Sequence, residues 1–338
     1  MRRVGDGHRH LYWVLLTTAT TCGCTREARP LPEVPEGPVA SAAHTEDSPL
    51  SASDWSYEGE HGPSNWATLN EAWAACGEAG QSPVDLPLDG LSDAASTAVP
   101  SAAPVDKTRD VRLDFLRKGP LVPQFSVLPI ELSNDGRLMS LTGAPSQGLS
   151  IGGSLAQLES VVIHQPAEHH LGGTVPDLEL VLWLKDKNNG RLALSLLFRK
   201  GASNGALGSL TGHLPPRGLY ERTLISATLA LPELVPAGQR LLMYMGSEST
   251  PPCQGDVPHL VLAQVAELAP EQLQALIAAL PGSSQRPVQP LGDRKVEVVS
   301  LAGTSASSAS PSSVQSTTGS PATPQGAGAL GTNKQKKL

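Results

Sequence analysis

The run Leu178-Glu179-Leu180-Val181-Leu182-Trp183-Leu184, with one acid among apolar residues, most constrains how this chain folds. It reads as an apolar strand, and about a dozen residues before it stands a second one, Val161-Val162-Ile163-His164. The second follows a Gly-Gly turn and runs into the polar segment Gln165-Pro166-Ala167-Glu168-His169-His170. Around this pair, whose earlier strand extends over Leu158–His164, lie further short strand candidates: Val111–Phe115, Ser126–Leu132, Leu138–Leu141, Leu192–Phe198, Leu241–Met245 and Val257–Val265. Turn signals such as Asn134-Asp135-Gly136 and Asn188-Asn189-Gly190 separate several of them. Helical pattern is scarce. The clearest helix is Pro270–Leu280, with Pro at its start, Pro281-Gly282 at its stop, and Leu273, Leu276, Ile277 and Leu280 on one face. The chain is therefore expected to be mainly β.

At 338 residues it holds one large or two ordinary domains. With 33 Gly, 30 Pro and only 4% aromatics, the core must come mainly from Leu, Val and Ala, and much of the chain is loop or linker. The formal charge is −7, and the one dense basic block is the tail Lys334-Gln335-Lys336-Lys337, which argues against a nucleic-acid partner.

The first residues read as an export signal. Arg2-Arg3 supply positive charge, and Leu11-Tyr12-Trp13-Val14-Leu15-Leu16 is too short to span a bilayer. Small residues then lead to Cys22-Gly23-Cys24. A cysteine there is the residue acylated in bacterial lipoproteins, although Ala19-Thr20-Thr21 lacks the usual leucine three positions before Cys22. The expected location is the periplasm, the outer-membrane surface or the extracellular space, with lipid attachment at Cys22 or Cys24 left open against simple secretion. Only Cys76 and Cys253 remain, and two cysteines left in an exported chain more often pair than stay free. A bridge closing so long a loop would constrain the unfolded chain by roughly 4–5 kcal/mol in the chain-entropy model.

The expected organisation is a signal peptide over 1–24, a disordered linker over 25–53, one folded domain over 54–299 and a low-complexity disordered tail over 300–338. Within the domain, 89–108 looks like a solvated surface insertion.

Six ordered blocks resemble the α-type carbonic anhydrases. They are Trp55-Ser56-Tyr57-Glu58-Gly59-Glu60-His61-Gly62-Pro63 with Trp66; Cys76 with Gln81-Ser82-Pro83-Val84-Asp85-Leu86; Asn134-Asp135-Gly136; and His164-Gln165-Pro166-Ala167-Glu168-His169. The last two are Gly246-Ser247-Glu248-Ser249-Thr250-Pro251-Pro252-Cys253 and Arg286-Pro287-Val288-Gln289-Pro290-Leu291. The resemblance implies a single α-carbonic anhydrase-like domain built on a large, twisted, mostly antiparallel sheet with peripheral short helices. It also supports a Cys76–Cys253 disulfide.

Members of that family hold Zn²⁺ with three histidines and use it to lower the pKa of bound water to about 7. Carried over residue by residue, the ligand positions fall on Val162, His164 and Val181. Valine has no lone pair, so two of the three ligands are missing. His164 is then expected to be a satisfied buried histidine. The proton-shuttle histidine falls on Arg137, which stays protonated and cannot relay protons. The threonine that orients hydroxide falls on Ser249, followed by Thr250, and the apolar residue before it becomes Glu248. Trp183 falls on a small position of the CO₂ pocket, and His259 replaces a tryptophan. Glu168 and Glu179 remain, but as supports without ligands they are expected to have lost their task. His164, Glu168, His169 and His170, read on their own, make a polar loop with solvated histidines.

These residues describe a divergent member resembling the non-catalytic carbonic anhydrase-related proteins: no catalytic residue, no cofactor, and a binding or structural role toward an unknown protein or small molecule. Two alternatives stand beside it. One is an active zinc-dependent carbonic anhydrase. The other is an esterase-like hydrolase using the same cleft through Ser249 and a nearby histidine.

Overall fold

The structure is a computed structural model that describes residues 54–88 and 113–303. The leader 1–24, the linker 25–53, the insertion 89–108, and Cys22 and Cys24 lie outside the described residues, as does the tail from 304 onward.

A 12-stranded sheet dominates. Its main path, in spatial order, is β10 (Tyr220–Ala230), β3 (Val127–Asn134), β4 (Met139–Thr142), β6 (Ser154–His164), β8 (Leu178–Lys185), β9 (Arg191–Lys200), β12 (Gly255–Leu262), β11 (Arg240–Ser247) and β14 (Glu297–Ser300). β2 (Leu121–Gln124) and β5 (Gly148–Ile151) pair beside β6, and β13 (Ala266–Leu268) pairs with β9. Within this sheet the pairings are antiparallel except those of β9 with β12 and with β13. β1 (Asp85–Leu86) and β7 (His170–Leu171) form a small parallel pair.

β8 is buried from Leu178 through Leu184, as its unbroken apolar run requires of a strand covered on both faces. Alternation sorts its side chains. Leu178, Leu180, Leu182 and Leu184 enter the main core with Met139, Leu141, Val161, Ile163, Leu194 and Leu196. Two helices cover this face, Gly205–Gly212 through Leu207 and Leu210, and Pro270–Ala279 through Leu273 and Leu276. Burial of each such leucine contributes about 1.5–3 kcal/mol. Glu179, Val181 and Trp183 project to the opposite face, where the cleft lies.

The helix expected at Pro270–Leu280 is present as Pro270–Ala279, and the backbone of Leu280 is already extended, as a residue before proline prefers. Of the strand expected at Val111–Phe115, residues 111 and 112 lie outside the described residues, and from Leu113 the chain is not a strand: residues 113–117 form a helical turn. Leu113 and Leu116, three apart, both reach the main core, a spacing that suits a helix rather than a strand. β10 was not anticipated. As an edge strand it buries only Ala227 and Leu229 fully, so its sequence carries little apolar alternation. Order also continues past 299: Ser300 closes β14, and the buried Leu301 bridges to Leu121.

Cys76 and Cys253 are joined in a disulfide with Cα atoms 5.0 Å apart and 177 residues between them. The bridge packs with the fully buried Trp66 and ties the N-terminal segment to the loop after β11. Replacing both cysteines with serine is expected to lower stability by up to about 5 kcal/mol. The urea midpoint of the double variant against the oxidised parent checks this.

Candidate functional site

The cleft face is a set of cross-strand rows. One row runs Ser133, Ser140, Val162, Val181, Ser195 across five neighbouring strands. The next runs Thr142, Ser160, Trp183, Ala193, His259, Tyr244. A third places His164 opposite Glu179. The positions named from the sequence as Val162, His164 and Val181 are therefore neighbours on two adjacent strands, with the two valines directly opposite each other.

Val162 and Val181 pack with Trp183, Ala193 and Val257 in one apolar cluster. Trp183 is 8% exposed, and the Arg191 guanidinium lies 4.3 Å over its ring. Arg191 is ion-paired to Glu248, and its Nε approaches Glu159 Oε2 at 3.2 Å. The charge that Glu248 brings to the mouth is thus paired. What remains is an open cleft of about 260 Å³, whose wall includes Ser133, Asp135, Ser140, Ser160, Ser249 and Thr250.

His164 is 2% exposed. Its Nδ1–H donates to Ser284 O at 2.8 Å, and Nε2 stands 3.6 Å from Glu168 Oε2. This is a satisfied buried histidine, as read from the sequence. The solvated polar loop is not what forms: Glu168 and His169 are also buried. Glu168 Oε1 accepts from the Arg286 backbone N–H at 3.1 Å, and the Ser249 side chain also bonds to this carboxyl. Burial, opposed by His164, leaves the Glu168 carboxyl above its usual range. Ser249 therefore pairs with a carboxylate, where the esterase alternative needs a histidine.

Glu179 has not lost its task. Its Oε2 accepts from the backbone N–H groups of Glu168 and His169, both at 2.9 Å, and its Oε1 accepts from His169 Nδ1–H at 2.7 Å. Burial alone would raise this carboxyl, but His169 and then His164 hold it down at about 2. The network continues from His169 Nε2 to the Tyr244 hydroxyl at 2.7 Å and on to Ser82 Oγ at 2.8 Å. Burial pushes the Tyr244 phenol well above the ordinary tyrosine range. Gly246 is needed beside this chain, because a Cβ there would lie 2.0 Å from Ser82 Oγ.

His259 stacks on Tyr244 with ring centroids 4.9 Å apart. Its Nε2–H donates to Ser247 O at 2.8 Å, while Nδ1 has no partner among the described residues. Burial first, and the nearby His169 second, push its pKa down to about 3. Arg137 lies over Trp55, its guanidinium carbon 4.9 Å from the ring, and donates to Trp55 O at 3.4 Å.

Sequence reasoning missed Tyr244, Arg191 and the structural part played by His169. Tyr244 sits inside Leu241-Leu242-Met243-Tyr244-Met245, where a phenol among apolar neighbours signals a buried polar partner. Arg191 stands at a strand start and carries no such signal.

Comparison with known proteins agrees with this fold. The family model described as eukaryotic-type carbonic anhydrase matches residues 161–300. The α-carbonic anhydrase of Thermovibrio ammonificans, solved with the inhibitor sulfanilamide, superposes with a TM-score of 0.60 at 24% identity, covering 72% of this chain and 98% of that one. The chain is carbonic anhydrase-like. It is 28% identical over 248 residues to a carbonic anhydrase of Klebsiella pneumoniae, covering 72% of this chain and 91% of the relative. It is also 29% identical over 243 residues to dioscorin dioA3 of Dioscorea japonica, covering 70% and 82%.

Zinc, the metal associated with this family, does not match the donors of this carbonic anhydrase-like chain. Two of the three positions present methyl groups, which leaves His164 as a single imidazole where three or four donors are needed. Among the described residues no group of three or more His, Cys, Asp or Glu is placed to hold a metal ion.

The buried titratable groups set the acid response. Below pH 6.5 the unfolded chain protonates His259 while the folded chain does not, so stability falls as pH drops from about 6.5 toward about 3. Glu179 adds a second loss as pH falls from 4.5 toward about 2, where its ionised folded form must take up a proton. Urea midpoints measured from pH 7 to pH 4 are expected to drop steadily. His259→Phe should flatten the upper part of that profile, each unit of lost shift being worth about 1.4 kcal/mol. Glu179→Gln, which leaves His169 without its buried carboxylate, is expected to cost about 3–5 kcal/mol at pH 7, read from the same midpoints.

Proposed function

We propose that this chain is an exported carbonic anhydrase-like protein that neither holds zinc nor hydrates CO₂ and serves as a binding module. The carrying observation is the direct pairing of Val162 with Val181 at two of the three ligand positions, backed by Trp183 in the same apolar cluster. Zinc binding needs three or four lone-pair donors in fixed geometry, and one imidazole does not supply it. Trp183, capped by Arg191 and Glu248, fills the space beside the valines. The cleft left above them supports a binding role, and the hydrogen-bonded network beneath keeps its walls in place.

Export is part of the same proposal. Its support is the order of Arg2-Arg3, the short apolar stretch and the small residues leading to Cys22 and Cys24.

Purified full-length chain, dialysed against zinc and then buffer, is expected to retain far less than one zinc per chain by elemental analysis. In a stopped-flow assay it should leave CO₂ hydration at the uncatalysed rate. Stoichiometric zinc with fast turnover would sink the proposal. The Val162→His/Val181→His double variant is expected to gain zinc binding, because it restores a three-imidazole face with His164.

A further inference from the structure

The chemistry of the cleft wall selects a class of ligand. Each charged side chain that lines the cleft has a partner. Arg191 is engaged by Glu248 and Glu159. Asp135 Oδ1 accepts from the backbone N–H groups of Arg137 and Leu138 at 2.9 Å and 2.8 Å, and its Oδ2 lies 3.6 Å from Arg137 Nε. His164 faces Glu168. A charged ligand entering here would find no free counter-charge to offset the hydration it loses.

Neutral hydrogen-bonding groups are in a different position. The hydroxyls of Ser140, Ser160 and Thr250 line the cleft from β4, β6 and the loop after β11. None of the three forms a side-chain hydrogen bond to another described residue. Each can donate and accept. They stand around an apolar floor made by Val162, Trp183 and Leu138. The opening, about 260 Å³, falls just below the roughly 300–1,000 Å³ of pockets that hold drug-sized ligands.

From these features we infer that the cleft binds a single neutral polyhydroxylated ring, a monosaccharide or the terminal sugar of a glycan. Such a ring matches the cleft in three respects. It carries no charge, its C–H faces suit the Val162–Trp183 floor, and its rim of hydroxyls meets Ser140, Ser160 and Thr250. The carboxylates of Asp135 and Glu248 have lone pairs to accept further sugar O–H groups without giving up their ion pairs. The inference rests on the reading of this chain as a binding module and names the ligand class of that same cleft.

Saturation-transfer NMR on the full chain tests it, using methyl glucoside, methyl galactoside and methyl mannoside beside their charged analogues glucuronate and glucosamine. Short oligosaccharides ending in the same sugars form the other arm. Transfer to at least one neutral ring at millimolar concentration is expected, with weaker transfer to both charged rings. Stronger transfer to the oligosaccharide than to its methyl glycoside identifies a glycan end as the source, and equal transfer identifies the free sugar. Ser160→Val and, separately, Thr250→Val should each weaken binding about tenfold, roughly the loss of one hydrogen bond. Thermal unfolding of both variants shows that they are folded. Failure of every neutral ring to bind overturns the inference, as does preference for a charged ring or unchanged affinity in both folded variants. Zinc content measured on the same sample separates the two readings. One zinc per chain overturns the metal-free module, whereas zinc-free protein that ignores neutral sugars overturns only the sugar inference.

Discussion

The buried carboxylate of Glu179 is the constraint on which the site side of this molecule depends. A charge with no exposure would be costly unless both its oxygens were hydrogen-bonded, and here two backbone N–H groups and an imidazole donate to them. Because the backbone donors belong to Glu168 and His169, the same bonds hold the turn that follows β6. Through His169 the network reaches Tyr244 on β11 and Ser82, so one ionised group on β8 fixes three remote stretches of chain. Arg286 works alongside it. Its guanidinium donates to Ser82 O and Cys76 O at 2.8 Å and 2.9 Å, beside the disulfide.

Polar architecture of this kind carries stability of its own, whatever chemistry it surrounds. Glu168 and Glu179 would be free to drift if supporting a metal ligand were their only task. Both are instead tied to backbone N–H groups, and removing either would leave buried donors unpaired. The ligand positions carry no such obligation. Val162 and Val181 touch Trp183 and Ala193, and apolar burial is all those positions now supply.

Much of the sheet was legible because its central strands announce themselves. Leu178–Leu184 and Leu192–Phe198 are apolar on both faces, and the helix at Pro270 carries its own start, stripe and stop. The blocks around Val162, His164 and Val181 placed the site residues on adjacent strands, and their register in the fold sets the valines opposite each other. What stayed hidden lacks a local pattern. β10 is an edge whose outward residues answer to water. The 113–117 turn depends on two leucines meeting a core built elsewhere. Burial of His169 and pairing of Arg191 with Glu248 join residues 10 and 57 positions apart, and no window of sequence shows such a contact.

The facing valines also have a consequence for changing the cleft by substitution. A single histidine, placed at either position, would press an imidazole against an apolar partner with too few donors around it to capture a metal. Such a variant loses packing and gains no metal site. Both changes must arrive together, and Trp183 still occupies the adjoining space when they do. The cleft floor is thus held by a pair of side chains that can be exchanged only jointly, and variation in the cleft is confined to the residues around them.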